Sequence, residues 1–303
     1  MKLKVIIGII IAIIGMSFAS CSDSYDFGDT PAPRKIPTNK EDSLIIVNVY
    51  KAMGCDNWPG FDKKALRLPE LWRIAGSYYD QDKGEFRISS LIIELSYFPI
   101  SEDTKEIVLP EEVGDLENLT SVLIVGSENT KVRIPSNIFK GDQLRYFKVD
   151  YCSFENDEFP HQISKYAKIL EKLAIRNSNI SEVDFDLFSK FESLEYIDLN
   201  GNLLSGEVPL DETRELRNKN VYINLGNNYY SSIDWSFFTN NPYELDDQLP
   251  ELNGNCFSGL IPEEVFYTRK WCEYGDRMHN MRKGYGFGNY RCDTWDSVRP
   301  KDL

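Results

Sequence analysis

The sequence predicts an α/β solenoid, a parallel β-sheet assembled from about seven stacked copies of one short unit, with a cap at each end. Three observations predict it. First, residues 199–209 and 252–262 nearly coincide: Leu199-Asn200-Gly201-Asn202-Leu203-Leu204-Ser205-Gly206 reappears as Leu252-Asn253-Gly254-Asn255-Cys256-Phe257-Ser258-Gly259. Second, a middle copy, Ile223-Asn224-Leu225-Gly226-Asn227-Asn228, falls between them, and degenerate copies can be phased backwards from it. Third, the stretches flanking the repeats carry helical and aromatic signals of a different kind.

The phasing rests on pairs of apolar residues two apart. The second of each pair falls at Ile93, Ile124, Val149, Ile175, Leu199, Leu225 and Leu252, so the steps run from 24 to 27 residues after a first step of 31. The long first step contains the polar insert Ser101-Glu102-Asp103-Thr104-Lys105-Glu106. One such unit cannot bury its apolar side alone, and stacking makes the burial continuous. Three residues after the second apolar position the chain leaves the strand, and its buried amides need partners there. Asn202, Asn228 and Asn255 supply them; Ser96, Ser127, Cys152 and Ser178 hold the position in the earlier copies. Later in each copy come Leu109-Pro110, Ile134-Pro135, Phe159-Pro160, Val208-Pro209 and Ile261-Pro262.

The form LxxNxLSGxIP resembles the plant-type class of leucine-rich repeats. The resemblance implies a parallel sheet on a concave face, with short strands and 3₁₀ turns on the convex side. Residues 41–86, with the first residues of the repeat region, resemble the N-terminal cap of bacterial leucine-rich-repeat proteins: a helical segment 42–52, then Gly54-Cys55-Asp56-Asn57-Trp58, Leu71-Trp72 and, where the repeats begin, Arg87-Ile88-Ser89-Ser90-Leu91. Cys55 is inserted in the cap motif, and Arg73-Ile74-Ala75 departs from it. Repeats then occupy 87–262. Residues 263–303, with Trp271, Tyr274 and Gly284-Tyr285-Gly286-Phe287-Gly288, are expected to form an irregular C-terminal cap and tail.

The chain's start reads as an address. Lys2 and Lys4 precede an apolar run, 5–18, that is shorter than a membrane-spanning helix needs. It ends in Phe18-Ala19-Ser20-Cys21, which resembles the lipobox of bacterial lipoproteins. The resemblance implies a signal peptide at 1–20, a lipid on Cys21 holding the protein to a membrane, and a Gram-negative outer-membrane location. Residues 21–40, acidic and Pro-containing, are expected to be a flexible tether. Acidic residues just after Cys21 resemble a surface-export signal, so exposure on the cell surface is favoured over the periplasmic side.

Composition narrows the function. The 303 residues carry 34 Lys+Arg against 48 Asp+Glu, a net charge of −14, and a mean hydropathy of −0.40. Nucleic-acid binding needs a basic face, so this balance argues against it. The two histidines, His161 and His279, sit in no nucleophile–His–acid arrangement. Asp184/Asp186 and Asp246/Asp247 are carboxylate pairs of the kind glycoside hydrolysis uses, but in an acidic chain they read as a solvated face. No metal site or cofactor is expected. An exported compartment permits disulfides, and Cys272 with Cys292 is the candidate pair.

Alternation along the strands places a second set of side chains on the concave face. The candidate binding residues are Ile92, Leu123, Val125, Tyr146, Lys148, Lys172, Arg176, Tyr196, Asp198, Tyr222 and Asn224. Tyrosine with apolar and Arg neighbours suits a protein or peptide partner. The alternatives are a glycan ligand stacked on the tyrosines, in a nutrient-uptake accessory protein, and a hydrolase.

Overall fold

A computed structural model describes residues 38–63, 66, 73–155, 158–240, 249–256 and 262–269. The expected signal peptide, Cys21 and most of the tether lie outside the described residues. So do Leu71, Trp72, Asp246, Asp247, Trp271, Cys272, Tyr274, His279, the 284–288 segment and Cys292.

Helix α1 (Lys40–Ala52) opens the described chain. The Asn39 side chain caps it, accepting from the amides of Glu41 and Asp42 at 2.9 and 3.1 Å. Glu41 and Asp42 in the first turn and Lys51 in the last suit the helix dipole. Ile45, Ile46, Val49 and Tyr50 form its buried face. The cap sets the start two residues before the helical pattern at 42. Thr38 bridges to Phe86, so the reading of a tether running to residue 40 overlaps the folded cap by three residues.

Strands β1 (Ala75–Asp80) and β2 (Glu85–Glu94) form an antiparallel hairpin that the repeat pattern does not announce. There follow β3 (Glu106–Val108), β4 (Ser121–Val125), β5 (Lys131–Arg133), β6 (Tyr146–Asp150), β7 (Cys152–Ser153) and β8 (Lys172–Arg176). Then come β9 (Tyr196–Asp198), β10 (Ser205–Glu207), β11 (Tyr222–Asn224) and β12 (Tyr229–Ser232). The main sheet runs β1-β2-β4-β6-β8-β9-β11, parallel from β2 onwards. Smaller parallel sheets, β3-β5-β7 and β10-β12, form a second layer. The copies also carry 3₁₀ turns at Glu111–Asp115, Ser136–Phe139, His161–Tyr166 and Phe185–Lys190, three of them directly after Pro110, Pro135 and Pro160.

The register matches the sequence phasing. Ile93 pairs with Ile124, Ile124 with Val149, and Val149 with Ile175. Ile197 pairs with Ile223, and Asn224 bridges Glu251 one copy later. The inward residues of these strands are buried, and the core runs unbroken from α1 to Val265.

The turns leaving the strands explain the asparagines. Asn202 accepts from the amides of Ser178 and Ile180 at 3.0 and 3.2 Å, and donates to the carbonyls of Ile175 and Leu199 at 2.6 and 2.9 Å. Asn228 accepts from Leu204 N and donates to Leu199 O and Leu225 O. Asn255 accepts from Tyr230 N and donates to Leu225 O and Leu252 O. Each asparagine therefore ties its own copy to the one before. Ser178 manages less, accepting from Cys152 N at 3.3 Å and donating to Arg176 O. Ser127 accepts from Thr130 N within its own copy. Before five successive ladder positions the backbone turns left-handed, at Tyr151, Asn177, Gly201, Asn227 and Gly254. A Cβ on Gly201 would come within 2.0 Å of Asn177 Oδ1, so glycine stacks on asparagine there.

At the N-terminal end, Arg87 holds Asp42 in a buried two-pronged ion pair, Nε–Oδ2 2.9 Å and Nη2–Oδ1 3.2 Å. Asp42 Oδ2 also accepts from Ile88 N. Cys55, the inserted residue of the cap motif, is fully buried and free, as is Cys152. Cys256 is disulfide-bonded.

Candidate functional site

Alternation in β4 and β6 leaves every second side chain half-exposed, and these form the solvent face of the main sheet. The sheet brings the expected binding residues, Asp198 excepted, onto this one face, most of them in three zones. Ile92, 38% exposed, with half-buried Leu123 and Val125, makes an apolar end. Lys148, Lys172 and Arg176 make a cationic centre on β6 and β8. Tyr196, Tyr222 and Asn224 follow on β9 and β11.

The centre is set by register. Lys148 lies opposite Ala174, midway along β8, with Lys172 and Arg176 two residues to either side. Ala174 offers only a methyl group, and Lys148 extends until its ammonium is 5.7 Å from the Tyr196 ring centroid. Burial pushes the Lys148 ammonium down from its ordinary pKa, and the charges of Lys172 and Arg176 push it further. Arg176 reaches Asp150 at 3.6 Å and Asp198 at 3.9 Å.

The tyrosines are more constrained than their sequence positions suggest. Tyr146 donates to Glu171 at 2.6 Å, which pushes its hydroxyl up to about 12. Tyr196 donates to Asp198 at 2.8 Å and stacks on Tyr222, with centroids 5.1 Å apart and planes at 12°. Burial and then the Asp198 bond raise its pKa. Asp198 itself is 2% exposed and also accepts from Asn200 N, so it supports the face from below. Asn224 Oδ1 accepts from Gly226 N at 3.0 Å.

Away from the main sheet, a cleft of about 580 Å³ is lined by His161, Asp184, Asp186, Glu207, Glu212 and Tyr230 among others. One carboxylate of its Asp184/Asp186 pair is structural: Asp184 caps a 3₁₀ turn by accepting from the backbone N–H of Asp186 at 3.1 Å. Among the described residues no cluster of three His, Cys, Asp or Glu could hold a metal ion.

The parallel main sheet, the second strand layer and the ladder of asparagine turns make one architecture. The chain folds as a leucine-rich-repeat solenoid. Solved structures similar to it include plant and bacterial examples. The leucine-rich-repeat ectodomain of the receptor kinase SOBIR1 from Arabidopsis thaliana covers 73% of this chain and 96% of its own, at 15% identity and a TM-score of 0.36. The PEPR1–AtPEP1 structure covers 77% of this chain and 30% of its own, at 18% identity and a TM-score of 0.48. A leucine-rich-repeat protein of Leptospira interrogans covers 52% and 37%, at 21% identity and 0.37. No protein-family model matches the sequence, and no curated protein matches it.

Proposed function

We propose that this chain is an envelope-anchored binding protein that recognises a protein or peptide on the solvent face of its main sheet. The observation that carries the reading is the contiguity of the apolar, cationic and aromatic zones on six parallel strands held in one register. Such a face offers apolar and tyrosine area beside cationic charge, the mixture protein interfaces use. Anchoring rests on the lipobox-like Phe18-Ala19-Ser20-Cys21, with the lipid on Cys21 and the body on the cell surface.

The glycan reading is disfavoured by one observation: Tyr196 has Tyr222 against its ring and the Lys148 ammonium near it, so it is a poor platform for a sugar. The hydrolase reading loses the Asp184 carboxylate to the capping of a turn, which leaves Asp186 without its paired partner. Cross-linking on intact cells, with mass spectrometry of captured chains, tests the proposal. Tyr146→Ala, Tyr196→Ala and Tyr222→Ala combined should lower capture while the fold persists by circular dichroism. Unchanged capture would remove the sheet face as the site. Metabolic labelling with an alkyne fatty acid, lost on Cys21→Ser, tests the anchor.

A further inference from the structure

We propose that the sheet face takes an extended acidic peptide, whose carboxylate sits among Lys148, Lys172 and Arg176 and whose apolar side chain sits on Ile92, Leu123 and Val125. This rests on the binding role proposed above and deepens it. Three cations converge around the methyl of Ala174 in a chain whose net charge is −14. Among the described residues, neither Lys148 nor Lys172 has a carboxylate within ion-pair distance, and Arg176 meets its two carboxylates only at 3.6 and 3.9 Å. Like charges held together on a half-buried surface repel, and an incoming carboxylate relieves that repulsion while gaining charge-assisted hydrogen bonds. The burial of Lys148 has the same direction of effect on its ammonium.

A peptide suits the geometry better than an acidic glycan. The Tyr146 and Tyr196 hydroxyls already donate to Glu171 and Asp198, so neither is available to donate to sugar oxygens. Spacing adds a length. Strands lie about 4.8 Å apart and an extended chain advances about 3.3 Å per residue. From β4 to a point between β6 and β8 is roughly 7 Å, or about two residues. The ligand should therefore carry an apolar residue two or three positions from Asp or Glu.

The test pans a phage-displayed random dodecapeptide library on the full chain, then measures synthetic selected peptides by fluorescence anisotropy. Selected peptides should show that spacing. Changing their Asp or Glu to Asn or Gln should weaken binding at least about tenfold, as should Lys148→Ala with Lys172→Ala, while Lys219→Ala leaves it unchanged. Thermal melting of the double variant should match or exceed the parent, because a repulsion is removed. Binding lost on Leu123→Arg but indifferent to the lysine changes overturns the carboxylate site and leaves the sheet-face reading standing. Binding indifferent to both overturns both. Acidic oligosaccharides that bind in place of peptides, and are lost on the lysine changes, overturn the peptide.

Discussion

Replacing Asn202 with Ala tests the account of how the copies hold together. The side chain serves four buried backbone groups: the amides of Ser178 and Ile180 and the carbonyls of Ile175 and Leu199. Asn202 is fully buried, so water cannot replace it without opening the turn. A net hydrogen bond contributes about 1 kcal/mol, and an orphaned buried group costs about 1–3 kcal/mol. Allowing for relaxation, the loss should be about 3–5 kcal/mol, near the upper end for a point substitution. For a body of this size that lowers Tm by roughly 10 °C. Ser127→Ala is the control, since Ser127 Oγ accepts one amide, from Thr130, in its own copy, and should cost under about 1 kcal/mol. Urea unfolding followed by circular dichroism compares the two. If Asn202→Ala cost no more than Ser127→Ala, the cross-copy bonds would not be what holds these turns.

Three further outcomes follow from the same structure. Asp42→Ala strands the buried Arg87 guanidinium and should cost about 3–5 kcal/mol by urea unfolding, with Arg87→Ala adding little on top. Burial, with the charge of Asp142, pushes Tyr166 up to about 12, and Tyr146 is raised to about 12 through Glu171. Neutral tyrosine is thus favoured by folding, so this stability is full below about pH 10 and is lost as pH climbs towards about 12. Absorbance at 295 nm should show late-ionising tyrosines in the native protein; uniform ionisation near pH 10 with the fold intact would contradict the assignment. Burial raises the pKa of both Cys55 and Cys152, so iodoacetamide at pH 8 should label neither until the chain is denatured, as read by peptide mass spectrometry.

The periodic part of this fold was legible in the sequence because its physics is local and repeated. Spacing alone placed Ile93, Ile124, Val149 and Ile175 in register, and it assigned Asn202, Asn228 and Asn255 their turns. The Arg87–Asp42 pair was not legible, since 45 residues separate its partners and nothing periodic links them. Strand β1 lies outside the repeat, so the spacing that places β2 says nothing of its antiparallel partner. On the solvent face, alternation named the right side of the sheet but could not tell exposed from supporting groups: Asp198 reads like Lys148 until its neighbours are in place. The left-handed positions left a signal, the Asn or Gly directly before Ser178, Asn202, Asn228 and Asn255, that only the backbone made meaningful.

The ladder also gives the solenoid a mechanical polarity. Each asparagine grips the copy before it, and the grip weakens towards the chain's start, where Cys152 offers only a thiol to Ile124 O and Ser127 and Ser96 bond within their own copies. A pull between the N-terminus and a ligand seated on β6 to β9 loads that weaker half first. Under such a pull the protein should peel inward from α1, copy by copy, while the asparagine-locked end stays wound.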